Sequence, residues 1–380
     1  MVSVFKDRSL LPVVMAADNF PSSPLNDPYP VYNPDNGDKY IPFHLTFDDH
    51  HKLPPVGMIR PSVLAAMQED ERDPAICPWQ FHSNAIEGED DTLELSVQCV
   101  FLADWVLEGG RSLITQVMQQ TAERWRAEGR FPSELNGWRD EQYNIYAHPE
   151  SSGFKRGTFD VADGTPTNVA FALERSACVL FGVATYGVHL TAYEGEGEDM
   201  KIWVPRRSRT KQTFPGMLDN SVAGGIPRGM NPFEAIVKEC EEEANLPEQH
   251  VRPRIRAVGI ATYLHVVKAG FFQPEIQSAS DFAKLIGPAD ARYIYDLALP
   301  HNSSPDYIQP CPNDGEVESF VLWTIPEVVE AMHKGEFKPN CGLILVDFLI
   351  RHGFVTPENE PNLIEISCRI HRRLQVAVRC

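Results

Sequence analysis

The segment Gly224–Pro247, with the sequence GGIPRGMNPFEAIVKECEEEANLP, places the strongest constraint on how this chain can fold. Two adjacent glycines open it, and apolar residues then recur every three or four positions from Phe233 to Ala244. This spacing predicts a helix with one apolar stripe that packs against a core. Three carboxylates share the arc beside that stripe: Glu239, Glu242 and Glu243.

Two interpretations of this acidic run are open from the spacing alone: a solvated helix face, or a metal site. Like charges three or four residues apart repel one another, and Glu243 falls only about 20° around the helix from Ile236. A carboxylate beside a core is costly unless a cation compensates it, and Mg2+ takes carboxylate oxygens as ligands. The paired glycines Gly224 and Gly225 permit a sharp turn before the helix, which favours the metal site.

The segment resembles a Nudix box, whose pattern is G-x5-E-x7-R-E-U-x-E-E-x-G-U, with U a bulky apolar residue. Gly224 falls on the first glycine, and Glu239 falls on the glutamate after the arginine. Glu242 and Glu243 fall on the paired glutamates. The resemblance implies that these three glutamates bind Mg2+ or Mn2+, and that Glu242 and Glu243 are catalytic.

Three positions depart from the Nudix pattern. Met230 replaces a glutamate, Lys238 replaces the arginine and Asn245 replaces the second glycine. Asparagine tolerates the left-handed conformation that ends helices, and Lys238 keeps the positive charge. Glu234, four residues before Lys238, is expected to pair with it in place of the missing partner. The structural residues of the box are then Gly224, Gly225 and Lys238.

Hydrolysis of a phosphoanhydride needs a base for the attacking water and positive charge for the phosphoryl oxygens. Glu316, in the segment NDGEVESF, is the candidate base, with Glu318 second, although Glu316 also fits an ordinary turn residue after Asp314 and Gly315. A basic cluster before the box suits phosphate oxygens, and such clusters also occur at solvated strand ends. Its members are Arg206, Arg207, Arg209 and Lys211.

Further segments resemble the Nudix proteins related to thiamine pyrophosphokinase, which carry an additional N-terminal domain. They include WVPRRSRTKQTFPGMLDNSVAGGIPRG, YDLALP, DGEVESFVLW, KPNCGLILVDFLIRHG and, near the end of the additional domain, GWRDEQYNIY. This resemblance implies an α/β fold: a Nudix α-β-α sandwich with a mixed sheet, preceded by a smaller α+β domain. It also implies metabolite damage repair, in which oxo- or oxythiamine diphosphate is hydrolysed to the monophosphate and phosphate.

The order of periodic segments predicts two domains. Residues 1–165 form the expected N-terminal domain, with an extended arm over 18–42, and residues 166–380 form the Nudix domain with C-terminal helices. Helical spacing occurs in RPSVLAAMQEDE, RSLITQVMQQTAERWRAEG, IPEVVEAMHKG and CGLILVDFLIRHG. Strand-like apolar runs occur in CVLFGVATYGVHLTAY, KIWVPRRS, RAVGIATYLHVV, ARYIYDLALP and VESFVLWTI.

The formal net charge of −19 argues against nucleic acid and anionic membranes as partners. A small-molecule diphosphate is the expected partner, to be met by metal and by the local basic cluster. The sequence contains no run of about 20 apolar residues, the length that a membrane span requires. Eight cysteines without a CxxC pair fit free thiols in a reducing compartment, so a cytoplasmic location is expected. The oligomeric state stays open.

Other functions share some of these features. A Nudix pyrophosphatase of other nucleoside diphosphate derivatives would use the same box. An isomerase of isopentenyl diphosphate shares the Nudix fold and a TFPG segment, but its reactive cysteine should follow that segment closely, and TFPGMLDNSVAGG contains none. A non-catalytic binding module would be expected to lose box glutamates, whereas Glu239, Glu242 and Glu243 are intact.

Overall fold

A computed structural model of the chain describes most residues, and it leaves several short segments and two longer ones undescribed. Most of the extended arm predicted over 18–42, and part of the boundary segment predicted over 153–167, lie outside the described residues. The described ranges are 8–19, 39–73, 77–87, 93–159, 166–211, 213–267 and 285–380.

The first half of the described chain forms a helix-covered sheet and a short strand pair. Its four-stranded sheet has the order β2-β1-β4-β3, in which β1 and β4 are parallel and the other neighbours are antiparallel. Strands β5 and β6 form a separate antiparallel pair. The elements are α1 (Leu11–Ala17), β1 (Ile41–His44), β2 (Gly57–Ile59), α2 (Pro61–Asp70), β3 (Trp79–Glu87), β4 (Leu93–Leu102), α3 (Asp104–Glu108), α4 (Gly110–Ala127), α5 (Pro132–Leu135), β5 (Gln142–Tyr146) and β6 (Val169–Glu174).

The core of this region is built around helix α4, whose apolar positions repeat with helical spacing. Ile114, Met118 and Trp125 are fully buried on one face of the helix. The ring of Trp125 stacks on that of Phe181, with centroids 5.8 Å apart and planes 12° from parallel. The helices predicted for RPSVLAAMQEDE and RSLITQVMQQTAERWRAEG are therefore confirmed as α2 and α4.

The second half contains a six-stranded mixed sheet with helices on both sides. Its order is β10-β11-β7-β8-β12, and β9 pairs with β7. Strands β7 and β11 are parallel, and the other pairs are antiparallel. The elements are β7 (Thr185–Glu194), β8 (Lys201–Arg207), β9 (Val222–Gly225), α6 (Pro232–Ala244), α7 (Glu248–Val251), β10 (Ile255–Val267), β11 (Leu285–Ala298), β12 (Val317–Thr324), α8 (Ile325–His333), α9 (Pro339–Arg351) and α10 (Leu363–Ile370).

Successive side chains along the strands of this sheet point alternately into two separate hydrophobic cores. On β8, Ile202 and Val204 join the core that contains α8, α9 and α10, whereas Trp203 joins the core that contains α6. This period of two places one helix layer on each face of the sheet. The predicted α-β-α sandwich with a mixed sheet is confirmed, as are the helices and most of the strands predicted for this half. The exception is 178–184, predicted as the start of a strand, which forms turns and irregular chain before β7 begins at Thr185.

The chain termini pack across the two halves. Leu10 precedes α1 and Val14 lies within it. Both are fully buried in the core that contains α9 and α10, which lie near the other end of the chain. The core of the first half extends to Val183, just before β7. The domain boundary at residue 165 stays a prediction. Among the described residues, no helix combines the length and apolarity that crossing a membrane would require.

Candidate active site

Helix α6 carries the acidic run, and its two ends are fixed by asparagines. The Asn231 side chain accepts a hydrogen bond from the Glu234 backbone N–H at 2.9 Å, which caps the first turn. The helix ends at Asn245, which adopts the left-handed conformation with φ 51° and ψ 36°, as predicted. Ile236 and Cys240 are fully buried, so the predicted apolar stripe faces the core.

Two of the three box glutamates lie against strand β9. A Cβ atom at Gly224 would collide with the carboxylate of Glu239, so only glycine lets this carboxylate rest on the strand. Glu243 Oε2 accepts a hydrogen bond from the Ala223 backbone N–H at 3.0 Å. The box glycine and the helix therefore bring Glu239 and Glu243 together on neighbouring residues of one strand.

The surroundings of both carboxylates disfavour their ionised form. Burial, followed by the charges of Glu242 and Glu316, raises the pKa of Glu239 to about 7, although Lys238 opposes the shift. Burial also raises the pKa of Glu243 well above its usual value, and the charges of Glu239 and Asp219 add to the effect. Half-buried oxygen donors that disfavour their own ionisation suit a hard divalent cation, which would supply the missing positive charge.

Glu242 is oriented differently from the other two glutamates. Its Oε2 accepts a hydrogen bond from Lys238 Nζ at 2.5 Å, and about half of each side chain is exposed to solvent. Within the described ranges, no group of three or more His, Cys, Asp or Glu side chains is arranged to hold a metal ion. The structure thus brings together Glu239 and Glu243, and the role of Glu242 as a metal ligand stays a prediction.

The prediction of an ion pair between Glu234 and Lys238 is wrong. Glu234 instead binds Arg252 through two hydrogen bonds, from Nη1 at 2.9 Å and from Nη2 at 2.7 Å. The planar guanidinium matches both carboxylate oxygens at once, which a single ammonium group cannot do. Lys238 is left to pair with Glu242 one turn further along.

Glu316, the candidate base, lies close to the box glutamates. It follows a turn in which its backbone N–H donates to Asp314 Oδ1 at 2.8 Å and Gly315 has a φ of 82°. Burial alone would raise the pKa of Glu316, but its salt bridge with Lys211 lowers it below the usual value. Its negative charge contributes to the raised pKa values of Glu239 and Glu243, so all three carboxylates share one environment.

The basic cluster does not form a single open patch. Arg207 is buried and forms a salt bridge with Asp219, and Lys211 pairs with Glu316. Arg206 Nη1 donates to the Gly216 carbonyl at 2.8 Å. Arg209 is strongly exposed, and its backbone N–H donates to Glu318 Oε1 at 3.0 Å. The binding of phosphate by these four residues stays a prediction.

A buried polar group beside Arg207 was missed by the sequence reasoning. Burial alone would raise the pKa of Asp219, but Lys338, Arg207 and the Cys341 thiol hold it well below its usual range. Cys341 Sγ donates to Asp219 Oδ1 at 2.6 Å, and His189 Nδ1 lies 2.6 Å from Asn220 Oδ1. The polar pair Asp-Asn inside the apolar segment TFPGMLDNSVAGG was a signal that could have revealed it.

A second missed group lies on the sheet face opposite α6. The guanidinium of Arg292 occupies the space where Gly187 lacks a Cβ atom. Arg292 Nη2 donates to Asp290 Oδ1 at 2.8 Å and Nε donates to the Tyr263 hydroxyl at 3.2 Å. Asn340 Nδ2 also donates to that hydroxyl, at 3.1 Å. These residues come from β11, β10 and the start of α9, and no short sequence motif joins them.

Comparison with known proteins gives a family match within the second half of the chain. Residues 184–340 match the family model described as NUDIX domain. An uncharacterized protein of Saccharomyces cerevisiae is 41% identical over 244 residues, which cover 64% of this chain and 63% of that protein. Nudix hydrolase 20, chloroplastic, of Arabidopsis thaliana is 38% identical over 209 residues, which cover 54% of this chain and 50% of that protein.

A further relative is Nudix hydrolase 24, chloroplastic, of Arabidopsis thaliana, 33% identical over 219 residues that cover 57% of this chain and 54% of that protein. The chain thus spans between 50% and 63% of the length of these three relatives. A crystal structure of a Deinococcus radiodurans protein covers 42% of this chain and 80% of its own, at 21% identity and a TM-score of 0.29. The matched NUDIX domain agrees with the resemblance drawn from the box, and the names of the relatives include no substrate.

Proposed function

We propose that the protein is a divalent-cation-dependent Nudix hydrolase that cleaves a phosphoanhydride bond in a small-molecule diphosphate. One observation carries this proposal: Glu239 and Glu243 are held together on β9 in a setting where burial and neighbouring carboxylate charges raise both pKa values. Such an arrangement is costly to a protein that has no cation to place there. The match of residues 184–340 to the NUDIX domain supports the same conclusion.

In this proposal, Glu239 and Glu243 hold Mg2+ or Mn2+, and Glu242 adds to the negative charge at the rim. The bound cation would neutralise charge on the phosphoryl oxygens. Glu316 accepts the proton of the attacking water, because its salt bridge with Lys211 keeps it ionised at neutral pH. Water adds to phosphorus, the phosphoanhydride P–O bond breaks, and the products are a monophosphate and phosphate.

We further propose that the substrate is a damaged form of thiamine diphosphate, such as oxo- or oxythiamine diphosphate. The resemblance to the Nudix proteins related to thiamine pyrophosphokinase supports this choice. Intact thiamine carries a cationic thiazolium ring, whereas the oxo form is neutral and gains a carbonyl acceptor. A pocket built to donate a hydrogen bond to that carbonyl would leave its donor unpaired with the intact coenzyme. A donor left without this acceptor costs about 1–3 kcal/mol, which is roughly 10- to 150-fold in kcat/KM.

Cys341 bears on the isomerase alternative, which needs a reactive cysteine. The thiol is fully buried and hydrogen-bonded to Asp219. Burial, reinforced by the charge of Asp219, raises the pKa of Cys341 well above the usual thiol value. A thiol that stays protonated is a poor nucleophile, which favours hydrolysis.

The test is phosphate release from a panel of diphosphates by the purified protein in the presence of Mg2+. We expect kcat/KM on oxo- or oxythiamine diphosphate to exceed that on thiamine diphosphate by roughly 10- to 150-fold, with little turnover of nucleoside diphosphates or ADP-ribose. Glu243→Gln should abolish turnover, whereas Glu241→Gln, on the exposed side of the same helix, should not. Full activity of Glu243→Gln would contradict the metal site, and equal rates on damaged and intact coenzyme would contradict the substrate.

A further inference from the structure

The first half of the chain reaches the candidate site through strand β5. The Gln142 carbonyl accepts a hydrogen bond from the Arg228 backbone N–H at 2.7 Å, and the two side chains are joined at 3.0 Å. The hydroxyl of Tyr143 fills the space where Gly225 lacks a Cβ atom. Gly225 directly follows Gly224, on which the Glu239 carboxylate rests. Adjacent residues of a strand face opposite sides, so Tyr143 contacts β9 on the side opposite the Glu239 carboxylate. Strand β5 therefore borders the strand and the loop that lead into α6.

Arg175 lies next to this contact, directly after β6. Its guanidinium carbon lies 5.5 Å from the ring centroid of Tyr143, and its Nη1 binds Glu141 Oε2 at 2.9 Å. The side chain is nevertheless 46% exposed. A guanidinium has five N–H donors in a fixed plane, so this salt bridge leaves donors that face solvent. Arg175 is thus an oriented and accessible cation.

The carboxylates around the site create a need for a positive charge such as that of Arg175. Glu239, Glu243 and Glu316 are all carboxylates, so a diphosphate approaching them is repelled unless cations compensate. Arg207 and Lys211 already pair with Asp219 and Glu316. Arg175 lies over the ring of Tyr143, whose hydroxyl reaches strand β9 at Gly225, next to Gly224. A bound cation at the glutamates and Arg175 would therefore face the same anionic group from two sides.

We infer that Arg175 binds a non-bridging phosphate oxygen of the substrate, so that the first half of the chain completes the active site of the NUDIX domain. This inference rests on the proposed diphosphate hydrolase function. Arg175 is prepared for the contact because Tyr143 supports one face of the guanidinium and Glu141 fixes its direction. Planar donors in this arrangement match a phosphate group better than a lysine ammonium does.

The experiment compares steady-state kinetics of Arg175→Gln and Arg175→Lys with the unaltered protein. We expect Arg175→Gln to raise KM for the diphosphate substrate by about 10- to 100-fold while kcat changes much less, because a charge-assisted hydrogen bond to the ground state is lost. Arg175→Lys should restore part of the affinity. Arg156→Gln is the matched control, since Arg156 is similarly exposed at 40% and also pairs with a carboxylate, Asp104.

Glu141→Gln separates binding from a structural role. If Arg175 only secures the fold through its salt bridge, Glu141→Gln and Arg175→Gln should have the same effect. If Arg175 binds phosphate, Glu141→Gln should raise KM far less than Arg175→Gln does, because the amide oxygen of glutamine can still accept the hydrogen bond that directs the guanidinium. Equal losses in the two variants would overturn the inference.

Calorimetric binding of inorganic pyrophosphate in the presence of Mg2+ provides a second readout. Arg175→Gln should weaken this binding by about 10- to 100-fold. Unaltered pyrophosphate binding in Arg175→Gln would overturn the inference even if the protein hydrolyses diphosphates. Absence of turnover by the unaltered protein would instead count against the proposed function, and the effect of Arg175→Gln on pyrophosphate binding would still decide the inference.

Discussion

Glu239 ionises near neutral pH because its carboxylate is half-buried between other anions. Its pKa of about 7 compares with an ordinary glutamate value of 4.5. Between these two pH values the folded protein binds more protons at Glu239 than the unfolded chain does. The free energy of unfolding therefore falls as the pH rises through this window, as long as no cation occupies the site. A divalent cation reverses this effect because it favours the ionised form.

We expect Glu239→Gln to stabilise the metal-free protein at about pH 8 by about 1–3 kcal/mol, because the amide removes a charge that the fold disfavours. The difference should vanish below about pH 4, where Glu239 is protonated in both the folded and the unfolded state. Urea unfolding in the presence of a chelator, over a series of pH values, measures it. Excess Mg2+ should reverse the order of the two proteins, and a pH-independent difference would count against the assigned environment of Glu239.

Sequence reasoning at single positions succeeded where the cause was local. The left-handed conformation of Asn245 followed from the side chain itself, and the position of Glu239 beside the apolar stripe followed from helical geometry. The pairing of Glu234 with Lys238 failed because Arg252, further along the chain, is a better partner. Tyr143 could not be assigned to the site, because its contact with Gly225 depends on how two distant segments of the chain meet.

Glu239 of helix α6 can approach strand β9 closely because Gly224 has no side chain. Strand β9 pairs with β7, with Gly224 opposite Val188 and Gly225 opposite Gly187. At each of these three glycines a Cβ atom would collide with a functional side chain of another element. The side chains involved are Glu239 at Gly224, Tyr143 at Gly225 and Arg292 at Gly187. This glycine patch lets groups from three elements approach the strands closely.

We expect Gly224→Ala to remove most of the proposed diphosphatase activity while it lowers stability by only about 1 kcal/mol or less. The added methyl group would displace the Glu239 carboxylate, which sits at the end of a flexible side chain and can move at little cost. Activity, Mg2+ affinity and the urea midpoint should be measured together.

Gly259→Ala is the matched control, because Gly259 also lies in a strand of this sheet and a Cβ atom there meets nothing within 4 Å. It should keep full activity and Mg2+ affinity. Normal Mg2+ affinity in Gly224→Ala would contradict the proposed ligand position of Glu239.

The elements themselves were largely predictable, whereas the surfaces they present were not. The apolar periods of α4, α6 and α9 gave the helices, because burial of a stripe requires that spacing. The basic cluster looked like one patch in the sequence. On strand β8, however, Arg206 and Arg207 project to opposite faces, so one reaches the Gly216 carbonyl and the other the buried Asp219. Neighbours in a strand sequence are therefore separated in the folded sheet.

In the whole molecule, the two halves exchange their terminal segments. Helix α1 packs on α9 and α10, and the Asp18 carboxylate that follows it is fully buried. At the other end of the chain, the Ala377 backbone N–H donates to the Pro55 carbonyl at 2.7 Å, and Asn168 Nδ2 donates to the Val378 carbonyl at 2.7 Å. Because each half holds a segment from the other end of the chain, unfolding of one half should disturb the other.

Asp18 is the residue through which this coupling can be tested. Its Oδ1 lies 2.7 Å from Arg372 Nε and accepts the Leu264 backbone N–H at 3.0 Å, while its Oδ2 lies 3.3 Å from Arg369 Nη1. Asp18→Ala leaves these donors without their shared acceptor, so we expect a loss of about 2–4 kcal/mol.

Calorimetry should record a single unfolding transition for both the unaltered protein and Asp18→Ala, with the whole transition moved to lower temperature in the variant. Asp306→Ala is the control, because Asp306 is 69% exposed and lies 3.7 Å from its partner Arg254, so the loss there should stay below about 0.5 kcal/mol. Two separate transitions, of which Asp18→Ala moves only one, would mean that the halves fold independently. A single shifted transition would mean that the segment supplying Tyr143 and Arg175 stays in place for as long as the glutamate site itself is folded.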